Sequence, residues 1–337
     1  MHVAVDAHNL LADHRGIGVY LRSVLRQVLA KRAYRLTLLS RRPFPALQKR
    51  ALARELDSAE FAVAPRVPDD ADVVWHPWNG TFFQGGRRNV VTIHDVAPFV
   101  FPASYLKLLR SEQEPFEVSA RIADRIVTNS HSSKSGIVAE LGVEPERITV
   151  VPLAAGEVFS PGTAENLPRA LRGRRYILYV GTLEERKNPG TLIDAWREKL
   201  KAQGIALAMV STDKLPKDVI ALRNLDSKHF RDVYRAALCL AYPTLYEGFG
   251  LPALEAMACG TPAVVSRVAS LPEVCGTAAF YVEEPCSVAE WASALQEIAA
   301  SESLRSDLSR RGLEQAAKFS WEATANQTFA VIAEAAA

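Results

Sequence analysis

Several features that would announce a function are scarce in this sequence. There are four cysteines in 337 residues, Cys239, Cys259, Cys275 and Cys286, all in the second half and no two at metal-ligand spacing. That argues against a disulfide framework or a zinc site and leaves cysteine as a small apolar filler in a reducing compartment. The seven histidines are scattered, no His/Asp/Glu cluster suggests a metal, and neither a metal nor another cofactor is expected. An excess of one charge is also missing. Forty Lys and Arg against 38 Asp and Glu give a net charge of +2, too little to call for nucleic acid. No apolar run approaches the ~18–20 residues of a membrane span, and nothing reads as a signal peptide, so the expected location is cytoplasmic. Low-complexity tracts are absent while 48% of residues are apolar, which excludes a disordered chain.

What the sequence does have is alternation. Short β-rich apolar runs take turns with amphipathic stretches of helical period, the pattern of parallel sheets covered by helices. In the first half, strands are expected near 2–7, 35–40, 60–63, 72–76, 89–94, 125–129 and 148–152, with helices near 18–31, 44–55, 103–122 and 132–141. The helix after Gly18 carries Val19, Leu21, Val24, Leu25, Val28 and Leu29 on one side and points Arg22, Arg26 and Lys31 outward. Gly156, Pro161, Gly162, Pro168 and Gly173 then interrupt the periodicity and mark a linker. A second series follows, with strands near 176–181, 205–211, 219–222, 238–242, 262–266 and 278–282, and a last helix near 321–335 capped by Ser320. The expected fold class is α/β, two doubly wound domains over 1–160 and 161–320, with a final helix, 321–337, returning to the first domain. Ligands of such sheets bind at the carboxyl ends of the strands, so the chemistry should lie in strand-to-helix loops facing a cleft between the domains.

The most informative loop runs from Glu247 through Gly248, Phe249, Gly250, Leu251 and Pro252 to Glu255. It follows an apolar strand, and Pro252 suits a first helical turn. Backbone N–H groups from Gly250 onward make an anion site that the glycines let a phosphate approach. A carboxylate on each side of a phosphate site is suited to accept hydrogen bonds from hydroxyls, a sugar on one side and a ribose on the other. A second loop, Gly181 to Pro189, also leaves a strand for a helix, and its Arg186 and Lys187 can neutralise a diphosphate as charge grows on bond breaking. By itself such a pair is usually solvated charge; next to a loop suited to a diphosphate it becomes a candidate phosphate partner. In the first half, His8 follows the first strand, Gly16 and Gly18 open the first helix, and His94 and Asp95 end another strand. The glycine pair lacks the third glycine of a dinucleotide fingerprint, and no acidic residue ends the second strand, which disfavours NAD.

Together these segments resemble the family-4 retaining glycosyltransferases, whose two Rossmann-like domains form the fold called GT-B, over nearly the whole chain. The anchors are Gly16–Tyr20, Ile93–Asp95, Thr128–Ser132, Val180–Asn188 and Glu247–Glu255. The wording of the first and fourth is most similar to bacterial mannosyl- and rhamnosyl-type members that build surface polysaccharides such as lipopolysaccharide. The resemblance implies that Glu247 contacts donor-sugar hydroxyls, Glu255 the nucleotide ribose and Lys187 the diphosphate. It implies that His94 lies beside the reacting sugar and that Gly16 meets a phosphate through its backbone. Gly248, Phe249, Gly250 and Leu251 would complete the donor site, with His8 and Asp95 on the acceptor side. Thr182 stands where many members place an arginine, which shifts phosphate charge toward Arg186. The segment Ser211–Lys214 lacks the glycines common in the family, where the nucleobase is held.

The expected reaction moves a hexose from a nucleotide-diphosphate sugar to a saccharide or lipid-linked saccharide, keeping the anomeric configuration by front-face attack without a metal. The alternatives are a sugar-nucleotide epimerase on a similar fold and a non-catalytic sugar-nucleotide-binding scaffold. Every charged residue from Arg15 to Arg54 is basic. Such a block is usually solvated; the other reading is an anionic acceptor or a peripheral contact with an anionic membrane.

Overall fold

A computed structural model describes residues 1–13, 16–83, 85, 88–102 and 109–337. Arg15 and the first residues of the helix expected from 103 lie outside the described residues. The chain forms two compact units, Met1–Leu153 with Ser320–Ala337, and Ala154–Phe319.

The first unit contains β1 (His2–Asp6), α1 (Gly16–Lys31), β2 (Arg35–Leu39), α2 (Pro45–Leu56), β3 (Ala62–Ala64), β4 (Val73–His76), β5 (Asn89–Thr92), α3 (Ala97–Val100), α4 (Leu109–Ile122), β6 (Arg125–Thr128), α5 (His131–Leu141) and β7 (Ile148–Val150). Among the described residues these strands make one parallel sheet in the order β3-β2-β1-β4-β5-β6-β7. Val3, Val5, Val74, Trp75, Val90 and Val91 are fully buried, as expected of strands covered on both faces. At the entry to α1, a Cβ on Gly18 would stand 1.9 Å from the Asp13 carbonyl oxygen, so only glycine fits.

Arg22 differs from expectation. Instead of facing outward it is buried, donating to the carbonyls of Leu10 and Asp13 at 2.6 Å each. Those loop carbonyls need donors once they leave water, and a guanidinium supplies several. The C-terminal helix, Trp321–Ala336, starts at Ser320, whose hydroxyl accepts the Ala323 N–H at 3.1 Å. Within this unit it packs on α1 and on β4 to β6, with Phe329 edge-on to Trp75 and Thr324 donating to the Pro152 carbonyl at 2.7 Å.

The second unit contains β8 (Tyr176–Val180), α6 (Pro189–Lys199), β9 (Ala206–Val210), β10 (Ile220–Leu222), α7 (Ser227–Arg235), β11 (Cys239–Tyr242), α8 (Leu251–Ala258), β12 (Ala263–Ser266), α9 (Leu271–Cys275), β13 (Ala279–Val282), α10 (Val288–Ala300) and α11 (Glu302–Ala316). Its sheet is parallel, ordered β10-β9-β8-β11-β12-β13 among the described residues. The order reverses between β8 and β11, paired at Cys239–Ile177 and Leu240–Leu178. Ligands of doubly wound sheets bind beyond the carboxyl ends of such a pair. One face of the sheet is sealed by Ile177, Tyr179, Leu192, Trp196, Trp291 and Leu295, each side chain contributing ~1.5–3 kcal/mol by leaving water.

Helices α3 and α9, each with a proline in its first turn, were not expected: four or five residues are too few to show a helical period. The proline- and glycine-rich stretch before β8 is docked rather than slack. Arg235 donates to the carbonyls of Ser160, at 2.7 Å, and Thr163, at 2.9 Å, while Asp232 accepts from the backbone and side-chain amides of Asn166 at 2.8 and 2.9 Å.

Candidate active site

The loops after β8 and β11 leave adjacent strands at the point where the sheet order reverses, and three of the expected residues meet there. The first loop ends in a tight turn, Glu185–Lys187, before Asn188 takes a left-handed conformation (φ 50°) and admits Pro189 as the start of α6. Asn188 anchors that turn. Its amide donates to the carbonyls of Pro243, at 3.1 Å, and Pro285, at 2.8 Å, and its side-chain oxygen accepts from Thr191 at 2.7 Å. The turn therefore presents Arg186 and Lys187 toward the second loop.

Glu247 receives both cations. Its Oε1 accepts from Lys187 Nζ, from Arg186 at 3.2 Å and from the Thr244 hydroxyl at 3.2 Å. Lys187 also donates to the Tyr242 hydroxyl at 3.0 Å, and Arg186 to the Tyr246 carbonyl at 2.8 Å and the Glu184 carboxylate at 3.3 Å. All three charged side chains are largely buried. Burial pushes the Glu247 carboxyl up, but the Lys187 and Arg186 charges more than reverse this and hold it below the usual carboxylate range. A carboxylate that is ionised and a pair of cations are thus confined together, a dense arrangement of charge.

Just beyond Glu247, Gly250 turns the chain at φ 97°, where a Cβ would lie 2.5 Å from Leu271 Cδ2. This left-handed residue starts α8, whose Ala253 and Leu254 N–H groups donate back to the Gly250 carbonyl. The remaining first-turn N–H groups of a helix have no partner within it and favour an anion. Leu251 is half-buried at that terminus, and Gly248 is buried. Phe249 is buried with its ring 5.9 Å from that of Phe319, so its side chain serves the core and only its backbone is placed to meet a ligand. Ser270 pins the loop by donating to the Glu247 carbonyl at 2.9 Å.

Glu255 lies one turn inside α8, apart from the Glu247 group. The Tyr234 hydroxyl donates to its Oε2 at 2.8 Å, and burial pushes its carboxyl up to about 7. Thr182, on the β8 loop, donates to Glu184 at 2.9 Å, and Asp213 accepts the neighbouring Leu183 N–H at 2.7 Å. Asp213 belongs to the segment singled out for lacking glycines; there the structure shows a side chain bracing the loop after β8.

In the first unit, His94 follows β5 and its ring is buried. It lies edge-on to Tyr20 at 5.0 Å, its Nε2 is 3.0 Å from the Pro77 carbonyl, and its backbone N–H donates to Asn79 at 2.7 Å. Burial holds this imidazole below its usual range, against the opposing effect of Asp95. Asp95 itself caps α3, accepting the Ala97 N–H at 2.9 Å. His8, half-buried after β1, accepts the Arg41 N–H at 3.3 Å through Nδ1; burial and the charges of Arg42 and Arg41 lower its pKa. Gly16 opens α1 and is exposed. The structure thus gathers Arg186, Lys187 and Glu247, sets Glu255 on the adjoining helix, and gives His94, Asp95 and His8 partners inside their own unit.

Tyr242, Thr244, Tyr234, Asn188 and Asp213 were not singled out from the sequence. Tyr242, Tyr234, Asn188 and Asp213 act across to another strand, helix or loop, so no local spacing marks them. Thr244, three residues before Glu247, shares its loop with another hydroxyl, that of Tyr246, and nothing local distinguishes it. Asn188 alone carried a signal, as an asparagine directly before a proline at a helix start.

The chain is similar to known proteins along both units. Residues 174–301 match the family described as "Glycosyl transferases group 1", and residues 14–154 match "Glycosyltransferase Family 4". O-antigen chain mannosyltransferase B of Escherichia coli is 32% identical over 282 residues, covering 77% of this chain and 74% of that protein. O-antigen chain mannosyltransferase RfbU of Salmonella typhimurium is 26% identical over 224 residues, 63% of this chain and 61% of its own length. A D-inositol 3-phosphate glycosyltransferase of Corynebacterium diphtheriae is 30% identical over 243 residues, 64% of this chain and 57% of its own. Among solved structures, sucrose-phosphate synthase from Thermosynechococcus elongatus superposes with a TM-score of 0.77 at 19% identity, covering 99% of this chain and 98% of that one. HepE of Anabaena, in complex with UDP and glucose, does so with a TM-score of 0.74 at 13% identity, over 98% and 99% of the two chains. With the GT-B fold and these matches along both units, the chain belongs to glycosyltransferase family 4.

Proposed function

We propose that this glycosyltransferase moves a hexosyl group, of mannosyl or rhamnosyl type, from a nucleotide-diphosphate sugar to a saccharide or lipid-linked saccharide acceptor, with retention of configuration. The observation that carries this reading is the convergence of Lys187, Arg186 and Glu247 beside the N-terminus of α8. A diphosphate entering there competes with Glu247 for the two cations and draws on the backbone N–H groups of the helix start. Glu247, released in part from its ion pairs, then has lone pairs for sugar hydroxyls. Charge on the diphosphate grows as the bond from the anomeric carbon to its oxygen breaks, so Lys187 and Arg186 stabilise the transition state more than the bound donor. In front-face attack the acceptor oxygen bonds to the anomeric carbon on the side the diphosphate leaves, and the departing phosphate oxygen takes the acceptor's proton. Glu255, with the Tyr234 hydroxyl beside it, is suited to receive hydrogen bonds from a ribose. We assign the charge balance to these cations, so turnover should survive EDTA. His94 and Gly16 remain the proposed residues of the first unit beside the sugar and the phosphate, with His8 and Asp95 toward the acceptor.

The test is incubation with a panel of labelled sugar nucleotides, with and without an oligosaccharide-lipid acceptor, followed by NMR of the product's anomeric centre. Transfer with the donor's configuration supports the proposal. An inverted product overturns the front-face mechanism. A stereoisomer of the donor formed without acceptor would mark an epimerase, and binding without turnover a scaffold.

A further inference from the structure

The basic stretch from Arg15 to Arg54 is sorted by the fold into two surfaces. Toward α1 and β2 the cations are matched by carboxylates: Arg26 with Asp57 at 3.2 Å, Lys31 with Glu322 at 2.9 Å, Arg32 with Glu60 at 3.5 Å and Arg35 with Asp70 at 2.6 Å. On the outer side of α2 and in the loop that leads into it the pattern changes. Arg41, Arg50 and Arg54 are exposed and have no carboxylate partner among the described residues. Leu47, Arg50 and Arg54 are three, then four residues apart and so share one helix face, opposite the side buried through Gln48, Leu52 and Leu56.

Apolar side chains stand on this same surface. The three most exposed large hydrophobic residues described in the chain are Phe44, at 70%, Leu47, at 61%, and Phe82, at 45%. Phe44 directly precedes α2 and holds a left-handed backbone at φ 61°, an unfavourable conformation for a bulky residue, with its ring left in water. Phe82 adjoins them through Arg41, whose guanidinium donates to the Phe82 carbonyl and lies 4.7 Å over the Phe83 ring. Two aromatic rings and a leucine flanked by unneutralised guanidinium groups match the chemistry of a bilayer interface, where apolar groups enter the acyl boundary and cations meet lipid phosphates. A soluble polyanion would use the cations and leave the rings in water. No described helix is long and apolar enough to cross a membrane, so contact through this face would be peripheral.

We infer that Phe44, Leu47 and Phe82, with Arg41, Arg50 and Arg54, form a surface that docks the protein on an anionic bilayer. These residues lie outside the donor site, so the inference stands apart from the transferase reading. The experiment is co-sedimentation of the full chain with vesicles of phosphatidylcholine alone or in equimolar mixture with phosphatidylglycerol, at low and high salt. The protein should partition to the mixed vesicles and ignore the neutral ones. R50Q/R54Q should lower that partitioning ~30-fold, at about fivefold per arginine near an anionic surface. F44S/L47S should lower it at least ~10-fold and remove the part that resists salt. Both variants should bind a nucleoside diphosphate as the unchanged protein does, which reports intact folding. Equal binding to both vesicle types, or binding to neither, overturns the inference. So does a loss confined to R50Q/R54Q, which would mark a polyanion site. If the unchanged protein binds vesicles but no nucleoside diphosphate, the transferase reading fails and this surface stands.

Discussion

The loop that ends at Gly250 and the helix that begins there each carry a glutamate, and the two are held in opposite electrostatic states. Glu247 is buried against Lys187 and Arg186, which keep it ionised; Glu255, half-buried, meets a tyrosine hydroxyl, and its carboxyl rises to about 7. Burial acts in the same direction on both, so the difference comes from the cations. For the donor proposed above, a diphosphate bearing hydroxyl groups, the loop supplies charge that is already compensated. The helix supplies a carboxyl whose charge depends on pH.

The largest expected effect comes from removing the compensation. Lys187→Ala should lower turnover by ~10²–10³-fold, the usual loss when a preorganised group facing developing charge is deleted, while donor affinity falls much less. A rise in Michaelis constant at unchanged turnover would contradict the role given to Lys187.

Glu255 gives the next effect, in affinity and in stability. If its carboxylate binds the ribose, nucleoside diphosphate affinity should rise roughly tenfold from pH 6 to pH 8, and Glu255→Gln should abolish that rise. The stability consequence has the opposite sign. Its folded pKa, about 7, lies above the model-compound value of 4.5, so the folded protein binds this proton more tightly than the unfolded chain. Stability from this group is complete below pH 4.5 and is lost as pH rises through 7. Glu255→Gln should therefore stabilise the protein at pH 8 by about 2–3 kcal/mol while weakening nucleotide binding, measured by denaturant unfolding and calorimetry. A variant no more stable than the parent at pH 8 would show that Glu255 is not proton-linked in this way.

Gly250 links the two regions. Gly250→Ala forces a Cβ into a left-handed turn against Leu271, which should cost about 1–3 kcal/mol and disturb both glutamates together. If only one of the two responds, the turn does not set their common geometry. The smallest effects belong to the tyrosines. Tyr234→Phe should push the Glu255 carboxyl further up, whereas Tyr242→Phe should leave Glu247 ionised because Lys187 and Arg186 remain. Carboxyl NMR titration of the two variants reads both directions.

Much of this was legible in the residue order. Strand and helix periods located the alternating elements, and Glu247, Gly250, Pro252 and Glu255 marked the turn from β11 into α8. Helices of four or five residues escaped, because α3 and α9 contain barely one turn each. The partners of the site also escaped. Tyr234 reaches Glu255 from α7, and Tyr242 reaches Lys187 from β11, contacts between segments far apart in the chain.

By itself the sequence determined where backbone geometry and side-chain period are local: the alternation, the glycine turns, the prolines that open helices, and the charge types in each loop. Only the tertiary structure decided what those charges became. It put Lys187 and Arg186 on Glu247, left Glu255 with a hydroxyl, buried Arg22 beneath loop carbonyls, and left Arg50 and Arg54 without carboxylate partners among the described residues. The reason is physical: a helical or strand period depends on a few adjacent residues. The energy of a charge depends on which distant groups replace the water around it.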